Sequence, residues 1–295
     1  MPGDTVFFHP SYNFFAPSGV ISRKLNDNET IKLSYSRRLQ RPGFRRLNPF
    51  IDATDPANLL RGNPALRPEK VENVELSYYR FFEKGNSLLV TLYEKYQVDD
   101  NQTYIQYYPV LTVGDSVYRN VAVVTTVNAS IEQMAGINIS GSLSLSQKFE
   151  LRGSVILFDK YIISHIDSTT TNSLNYRING NANYQFSKTL VAEVFYSFNS
   201  PRTEIQGKFP SYTNYSFAIR KLLFNKKLSI AFTTTNPINK YTDQATDIQG
   251  HNFHINIDRK VPNQSFGISV NYKFGKMEYK EKKQDREQGM PDEGN

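Results

Sequence analysis

Long runs in which apolar and polar residues alternate one by one constrain the fold of this chain more than any other feature. Residues 173–186 carry polar side chains at odd positions and mostly apolar ones at even positions, namely Leu174, Tyr176, Ile178, Ala182, Tyr184 and Phe186. The same period of two recurs in 31–35, 74–78 and 137–145. Such a period is typical of a β-strand whose two faces meet different surroundings. The pattern predicts an all-β chain.

The connections between these runs indicate which all-β fold to expect. Polar turns of about two to four residues, such as 147–148 and 187–188, alternate with long loops, and the strands are about nine to fourteen residues long. A soluble β-sandwich would show strands of about five or six residues without this alternation. We predict an antiparallel transmembrane β-barrel portion of about eleven long strands, with apolar side chains facing lipid and polar side chains facing the lumen. The short turns would be periplasmic and the long loops extracellular.

Residues 37–68 interrupt the alternation with a proline-rich and arginine-rich segment. Each proline fixes φ and removes a backbone donor, so the segment is predicted to be neither a helix interior nor a central strand. It is expected to form a long, stiff, basic connection. Its prolines are Pro42, Pro49, Pro56, Pro64 and Pro68, and the arginine group at its start is Arg37, Arg38, Arg41, Arg45 and Arg46.

The same segment carries a family resemblance. Its motifs are Ser36-Arg37-Arg38, Arg41-Pro42-Gly43, the turns Asn48-Pro49 and Gly62-Asn63-Pro64, and the return Leu66-Arg67-Pro68-Glu69. With the alternating aromatic stretch 267–275, these motifs resemble large outer-membrane β-barrels of the TonB-dependent receptor type. The resemblance covers most of the chain but only the second half of that family's barrel, which has about twenty-two strands around a plugged lumen.

The resemblance implies an integral protein of the Gram-negative outer membrane that contributes lumen wall and ligand-capturing outer loops to a transporter. In the family, a plug domain blocks the lumen and a periplasmic TonB-type partner pulls on it. The plug domain, the N-terminal barrel half and a signal peptide have no counterpart here, so we expect a fragment, a truncated gene product or part of a split protein. Outer-membrane lipid and the barrel assembly machinery are further expected partners. The alternative is a structural or adhesive barrel without energy-coupled transport.

Two outer segments supply candidate ligand contacts. One is the arginine group, and the other is the cluster Tyr104, Tyr107 and Tyr108 within residues 98–128, which are predicted to form a loop. The tyrosine rings could stack on a sugar or an aromatic ligand, and packing of the loop on itself is the alternative. The net charge is +7, but no nucleic-acid recognition fold accompanies the arginines, so nucleic acid is not a predicted partner.

The end of the chain differs from the rest in composition. Residues 1–275 are predicted to form the barrel portion, and the highly charged residues 276–295 a disordered periplasmic tail. Phe274, at the end of the last predicted strand, is the candidate aromatic signal for the assembly machinery.

No catalytic or metal-binding pattern stands out. The chain has no cysteine, which excludes disulfides and thiolate chemistry, and it lacks the serine-hydrolase, zinc-protease, P-loop and dinucleotide motifs. An outer-membrane hydrolase would need a nucleophile and a base together at the rim. Asp99-Asp100 could belong to a Ca²⁺ loop but lacks the other ligands in sequence. We predict no enzyme activity, no cofactor and no metal site.

Overall fold

The structure, a computed structural model, describes residues 12–274. It contains the one-turn helix α1 (Phe44–Leu47), the 3-10 turn Glu83–Gly85 and these strands: β1 (Ser18–Asn26), β2 (Glu29–Gln40), β3 (Ile51–Asp52), β4 (Asn58–Arg61), β5 (Glu69–Phe81), β6 (Ser87–Val113), β7 (Ser116–Ser146), β8 (Phe149–Ser164), β9 (Thr170–Ser187), β10 (Leu190–Asn199), β11 (Arg202–Glu204), β12 (Gly207–Phe209), β13 (Tyr212–Leu223), β14 (Leu228–Thr235), β15 (Tyr241–Gly250), β16 (Phe253–Pro262) and β17 (Ser265–Tyr272). Within 12–274 no helix has both the length and the apolar character to span a membrane.

One continuous antiparallel wall dominates the fold. It belongs to a 13-stranded sheet, and removing the two side strands β3 and β4 leaves eleven strands in the order β1-β2-β5-β6-β7-β8-β9-β10-β13-β14-β17. Alternating residues pair across the strands, as Leu33 does with Leu76, so apolar side chains collect on one face. The predicted all-β architecture and the number of long strands are confirmed.

The connections divide the wall into two unlike ends. The short-turn end carries the brief connections 27–28, 82–86, 147–148, 188–189 and 224–227. The long-loop end carries 41–68, the outer parts of β6 and β7, and the connections 165–169, 200–211 and 236–264. The predicted alternation of short turns and long connections is therefore present along the whole wall.

The wall is an open sheet within residues 12–274. There, β1 pairs only with β2, and β17 pairs only with β14. Each outer strand therefore presents a row of backbone donors and acceptors without a ladder partner in the described chain.

Burial on the two faces of the wall is inverted relative to a water-soluble sheet. In β9, the side chain of Leu174 is 65% exposed, whereas the neighbouring Asn175 is only 4% exposed. In β8, Leu157 is exposed and Lys160 is buried on the opposite face. We call the apolar side the outer face and the polar side the inner face. An apolar outer face this extensive is stable only against an apolar medium.

Aromatic rings collect on the outer face at the short-turn end. Tyr184 and Phe186 pack edge to face with ring centroids 4.7 Å apart, and Tyr272 and Phe274 do the same at 4.7 Å. Such a band suits a membrane interface, where amphipathic rings accumulate. Phe274 therefore lies beside the last strand, and its role as an assembly signal stays a prediction. The predicted tail 276–295 lies outside the described residues.

The outer parts of β6 and β7 form a long two-stranded ribbon, where the sequence analysis predicted a loop. Its register runs from Asn101 opposite Asn128 to Val113 opposite Ser116. Threonine, valine and tyrosine supply strong β propensity here, and this outweighs the polarity that suggested a loop. The ribbon leaves the wall at a register shift between Gln97 and Asp100, where Asp99 takes a positive φ of 59°.

The proline-rich segment braces the base of this ribbon. Strand β4 pairs in parallel with β7, and Leu59 packs with Val121 and Val123 in a small core. Gly62 lies so close to the backbone of Asn48 that an added Cβ would overlap it. The segment is therefore an ordered brace, with only one turn of helix.

A second sheet covers part of the long-loop end. It has four strands in the order β11-β12-β15-β16 and is built from the connections 200–211 and 236–264. Its strands pair with one another across two separate connections. That long-range pairing is invisible in local sequence patterns.

Candidate ligand-binding pocket at the long-loop end

A cavity of 560 Å³ opens at the long-loop end, between the inner face of the wall and the second sheet. We call it the rim pocket. Its lining mixes charged and aromatic side chains, among them Glu132, Phe158, Lys160, Arg177, Arg202, Glu204, Phe209 and Arg259. A concave site of this size with a few convergent polar groups is typical of small-molecule binding.

A buried ion triad holds one side of the rim pocket. Lys160 Nζ lies 3.0 Å from Glu132 Oε2 and 2.9 Å from Glu204 Oε2. Lys160 and Glu132 come from adjacent wall strands, and Glu204 comes from β11. Since all three side chains are largely buried, the triad ties the second sheet to the wall at a fixed position.

Two arginines present guanidinium groups over aromatic rings in the rim pocket. The guanidinium carbon of Arg202 lies 4.8 Å from the ring centroid of Phe209, and that of Arg177 lies 5.8 Å from the ring centroid of Phe158. Stacking on a ring restricts each guanidinium while leaving donor groups for a ligand. The arrangement suits a ligand with acceptor oxygens.

A side-chain latch joins the ribbon to the second sheet beside the rim pocket. The Ile105 N–H donates to Gln206 Oε1 at 2.7 Å, and Gln206 Nε2 donates to the Ile105 carbonyl at 2.9 Å. The side-chain amide of Gln206 therefore bonds to the backbone of Ile105 in the way that a residue of a neighbouring strand would. A smaller cavity of 210 Å³ lies along this contact.

The side chains of two of the predicted arginines project from opposite faces of the wall. Arg37 lies on the outer face and pairs with Glu72, with Nε 3.1 Å from Oε1. Arg38, next to it in β2, lies on the inner face that Lys32 shares. The period of two therefore prevents these neighbours from acting on one ligand.

The other three arginines lie on the proline-rich segment. The guanidinium carbon of Arg41 is 5.7 Å from the ring centroid of Tyr12, and Arg45 and Arg46 lie on the exposed helix α1. In the described chain, the lining of the rim pocket includes none of the five predicted arginines. Their part in ligand contact stays a prediction.

Side-chain turns stiffen the same segment. Asp52 accepts hydrogen bonds from the hydroxyl and the backbone N–H of Thr54, and these lower the pKa of Asp52. Hydrogen bonds from Asn58 and from the Ala57 N–H likewise lower the pKa of Asp55. Each carboxylate mimics a backbone acceptor, so the segment keeps its shape with little regular structure.

The predicted tyrosine cluster lies on the ribbon. The Tyr107 hydroxyl donates to Asn120 Oδ1 at 3.0 Å, and the Tyr108 ring packs against the core around Leu59. Burial raises the pKa of Tyr104, and the nearby Asp167 carboxylate raises it further. Tyr108 therefore packs against the chain itself. The role of the tyrosine cluster in ligand contact stays a prediction.

The residues that build the rim pocket were missed in the sequence analysis. One signal was present: Lys160 lies between Phe158 and Ile162 on the same face, so a cation interrupts a buried row. Its partner Glu204 is 44 positions away in a connection, and no local pattern links the two. Across 12–274, no three or more histidine, aspartate or glutamate side chains are grouped to hold a metal ion.

Solved structures of siderophore receptors have a similar fold. A point variant of the ferric enterobactin receptor PfeA from Pseudomonas aeruginosa, in complex with enterobactin, has a TM-score of 0.57 and 17% identity, covering 86% of this chain and 40% of that one. The siderophore receptor PirA from the same organism has a TM-score of 0.58 and 14% identity, covering 86% and 41%. For the ferric-catecholate import receptor Fiu from Escherichia coli K12, the TM-score is 0.57 and the identity 12%, covering 87% and 34%. This chain therefore spans about two fifths or less of these receptors, and the likeness concerns the fold.

No curated protein matches the chain in sequence. A family model described as the outer membrane protein beta-barrel family matches residues 3–272. In such barrels short turns face the periplasm and long connections face outwards, so the short-turn end is periplasmic, the long-loop end is extracellular, and the outer face lies in lipid. The chain belongs to the outer membrane protein β-barrel family and is integral to the outer membrane.

Proposed function

We propose that this chain supplies lumen wall and ligand-capturing outer surface to a TonB-dependent uptake receptor. The observation that carries the proposal is the rim pocket, a cavity with arginine and aromatic side chains at the extracellular mouth of a polar inner face. A ligand arriving from outside meets this pocket before it meets the lumen. Binding at the mouth is the first step that an uptake receptor requires.

The open edges of the wall support a larger assembly. Unpaired backbone groups of β1 and β17 cannot be solvated by lipid. Barrels of about twenty-two strands surround a plugged lumen, twice the number of strands in this wall. We therefore propose that further strands complete the barrel, that a plug domain fills it, and that a TonB-type periplasmic partner acts on the plug.

The similar structures support the same class of function. One of them is a ferric enterobactin receptor in complex with enterobactin, and another is a ferric-catecholate import receptor. The low identity leaves the ligand of this chain open, so the proposal names a scarce extracellular solute with acceptor oxygens. It assigns binding and no catalysis.

A structural or adhesive barrel is the second candidate, and the ribbon is the observation that favours it. Its tip exposes Val110 and Val117, both more than half exposed, in a position suited to contact with another surface. Adhesion, however, would not require the rim pocket or an energy source.

An uptake experiment separates the two candidates. Cells lacking the gene would be complemented with the wild type, with the rim-pocket variant Arg177→Ala/Arg202→Ala, or with the short-turn control Lys188→Ala. Uptake of labelled iron chelates, cobalamin and oligosaccharides would be measured with and without a protonophore. We expect one solute whose uptake requires the protein and the proton gradient and falls by about tenfold or more in the rim-pocket variant only. If the deletion strain takes up every solute as well as the wild type does and loses only surface adhesion, the uptake function is refuted.

A further inference from the structure

The rim pocket carries more positive than negative side chains. Its charged lining consists of four cations and two carboxylates, which gives a net charge of +2: Lys160, Arg177, Arg202, Arg259, Glu132 and Glu204. An excess of one sign of charge in a concave site raises the local concentration of solutes of the opposite sign. The pocket therefore favours an anion over a neutral or cationic solute of the same size.

Four of these six charges neutralise one another. Lys160 lies between Glu132 and Glu204 in the buried triad, and Arg202 Nε lies 3.6 Å from Glu204 Oε1. Two cations and two carboxylates thus form one balanced cluster on one side of the rim pocket. The surplus positive charge of the pocket belongs to the two remaining cations, Arg177 and Arg259.

Arg177 and Arg259 have no carboxylate partner in the fold. Within residues 12–274, neither guanidinium takes part in an ion pair, and both residues are exposed. The inner face does neutralise an arginine nearer the short-turn end, where Arg220 Nη1 lies 3.3 Å from Glu193 Oε1. The guanidinium groups of Arg177 and Arg259 therefore remain available to a ligand from outside the chain.

The two unpaired arginines come from the two bodies that enclose the rim pocket. Arg177 lies on β9, on the inner face of the wall. Arg259 lies on β16 of the second sheet, directly opposite Gln244 of β15, which also lines the pocket. A ligand with two separated anionic groups can therefore meet one arginine of the wall and one arginine of the second sheet.

Aromatic side chains add apolar surface to the same pocket. The ring centroid of Phe158 lies 5.8 Å from the guanidinium carbon of Arg177, and Phe209 and Tyr212 are also in the lining. Rings of this kind pack against apolar or aromatic parts of a ligand, whereas the few charged groups fix its orientation. The pocket thus suits an apolar or aromatic body that carries its charges at separate points.

We propose that the rim pocket binds a dianionic solute, with Arg177 and Arg259 each holding one of its carboxylate or phosphate groups. The planar fork of a guanidinium matches the oxygens of both groups. Such a solute bridges the wall and the second sheet, so its binding also restrains the second sheet. The inference rests on the proposed function in taking the rim pocket as the ligand site, and it adds the charge class of the ligand and the two residues that select it.

The test uses the full chain, purified in detergent. Linear dicarboxylates and bisphosphonates of graded length would be titrated by calorimetry, beside monocarboxylates and diols of matched length. We expect one dianion per chain, a preferred length within at least one of the two dianion series, and binding about tenfold or more tighter than that of the matched monocarboxylate. Hydrogen–deuterium exchange of residues 241–262 should slow when the preferred dianion is bound, because the dianion ties β15 and β16 to the wall.

Matched variants assign the two anionic groups. Arg177→Gln and Arg259→Gln should each weaken binding of the preferred dianion by about tenfold or more, to the level of the monocarboxylate, whereas Arg220→Gln should leave it unchanged. Removing the second arginine after the first should cost much less, because bridging needs both. Heat-modifiable migration in gels shows that each variant is folded. Absence of dianion binding, equal affinity for monoanions and dianions, or unchanged binding by the folded variants overturns the proposal.

The inference and the uptake function fail in different ways. Dianion binding by the purified chain without any energy-coupled uptake would leave the inference standing and refute the uptake function. Uptake of a neutral solute that depends on the rim pocket, with no binding of dianions, would leave the uptake function standing and overturn the inference.

Discussion

Removing the cation of the buried ion triad should release the second sheet from the wall. In Lys160→Met, Glu132 and Glu204 would face each other without the Nζ that lies 3.0 and 2.9 Å from them. Breaking a buried ion pair from one side costs about 3–5 kcal/mol, because the remaining charge is left uncompensated. At 1.4 kcal/mol for each factor of ten, local opening of β11 and β12 should increase by about 150- to 4,000-fold.

Hydrogen–deuterium exchange of residues 202–209 measures this opening directly. Lys188→Met is the control, because it removes a lysine in an exposed short turn that takes no part in the triad. It should not change exchange in 202–209. A triple variant, Glu132→Gln/Lys160→Met/Glu204→Gln, removes all three charges and should restore much of the protection. If exchange in 202–209 stays within about threefold of wild type in Lys160→Met, the triad does not hold the second sheet and our reasoning is wrong.

Three further changes test the brace and the ribbon. Gly62→Ala should lower the thermal unfolding temperature because its Cβ overlaps the Asn48 backbone, whereas Gly43→Ala, which meets open space, should not. Leu59→Ala should speed proteolysis of the ribbon, since the fully buried leucine loses about 2–5 kcal/mol of packing; unchanged cleavage would contradict the core. The Asp99 carboxylate forms ion pairs with Arg67 and Lys70, and these outweigh the effect of burial and lower the pKa of Asp99. The stability that these ion pairs give the folded state is therefore complete above the unfolded pKa of about 3.9 and is lost as pH falls through the folded pKa. Asp99→Asn should therefore flatten the acid dependence of ribbon exchange, and an unaltered profile would exclude this ion pair as its cause.

The wall was predictable from sequence because local and global requirements agree there. In β9, each side chain that alternates in sequence also faces the medium that its polarity demands, as the contrast between Leu174 and Asn175 shows. A shift of one residue would reverse both faces, so the register is strongly determined. Strand number and the alternation of connections follow from the same pattern.

The outer structures were less predictable because their partners are distant in sequence. The ribbon looked polar, yet it pairs with itself and is supported by β4 and by Gln206, which lies 101 positions from Ile105. The rim pocket likewise depends on Glu204, whose segment carries no strand pattern of its own. A sequence can show that a loop is long and charged, but it does not show which loop charges the fold will bring to the wall.

Orientation of the wall across the outer membrane is the central claim and can be measured directly. The chain has no cysteine, so single cysteines can be introduced by Asp115→Cys at the ribbon tip and Gln147→Cys in a short turn, both at exposed positions. A membrane-impermeant maleimide would be applied to intact and to permeabilised cells. We predict labelling of Asp115→Cys in intact cells and of Gln147→Cys only after permeabilisation. Labelling of Gln147→Cys in intact cells, or protection of Asp115→Cys there, would contradict the orientation and the assignment of the rim pocket to the cell surface.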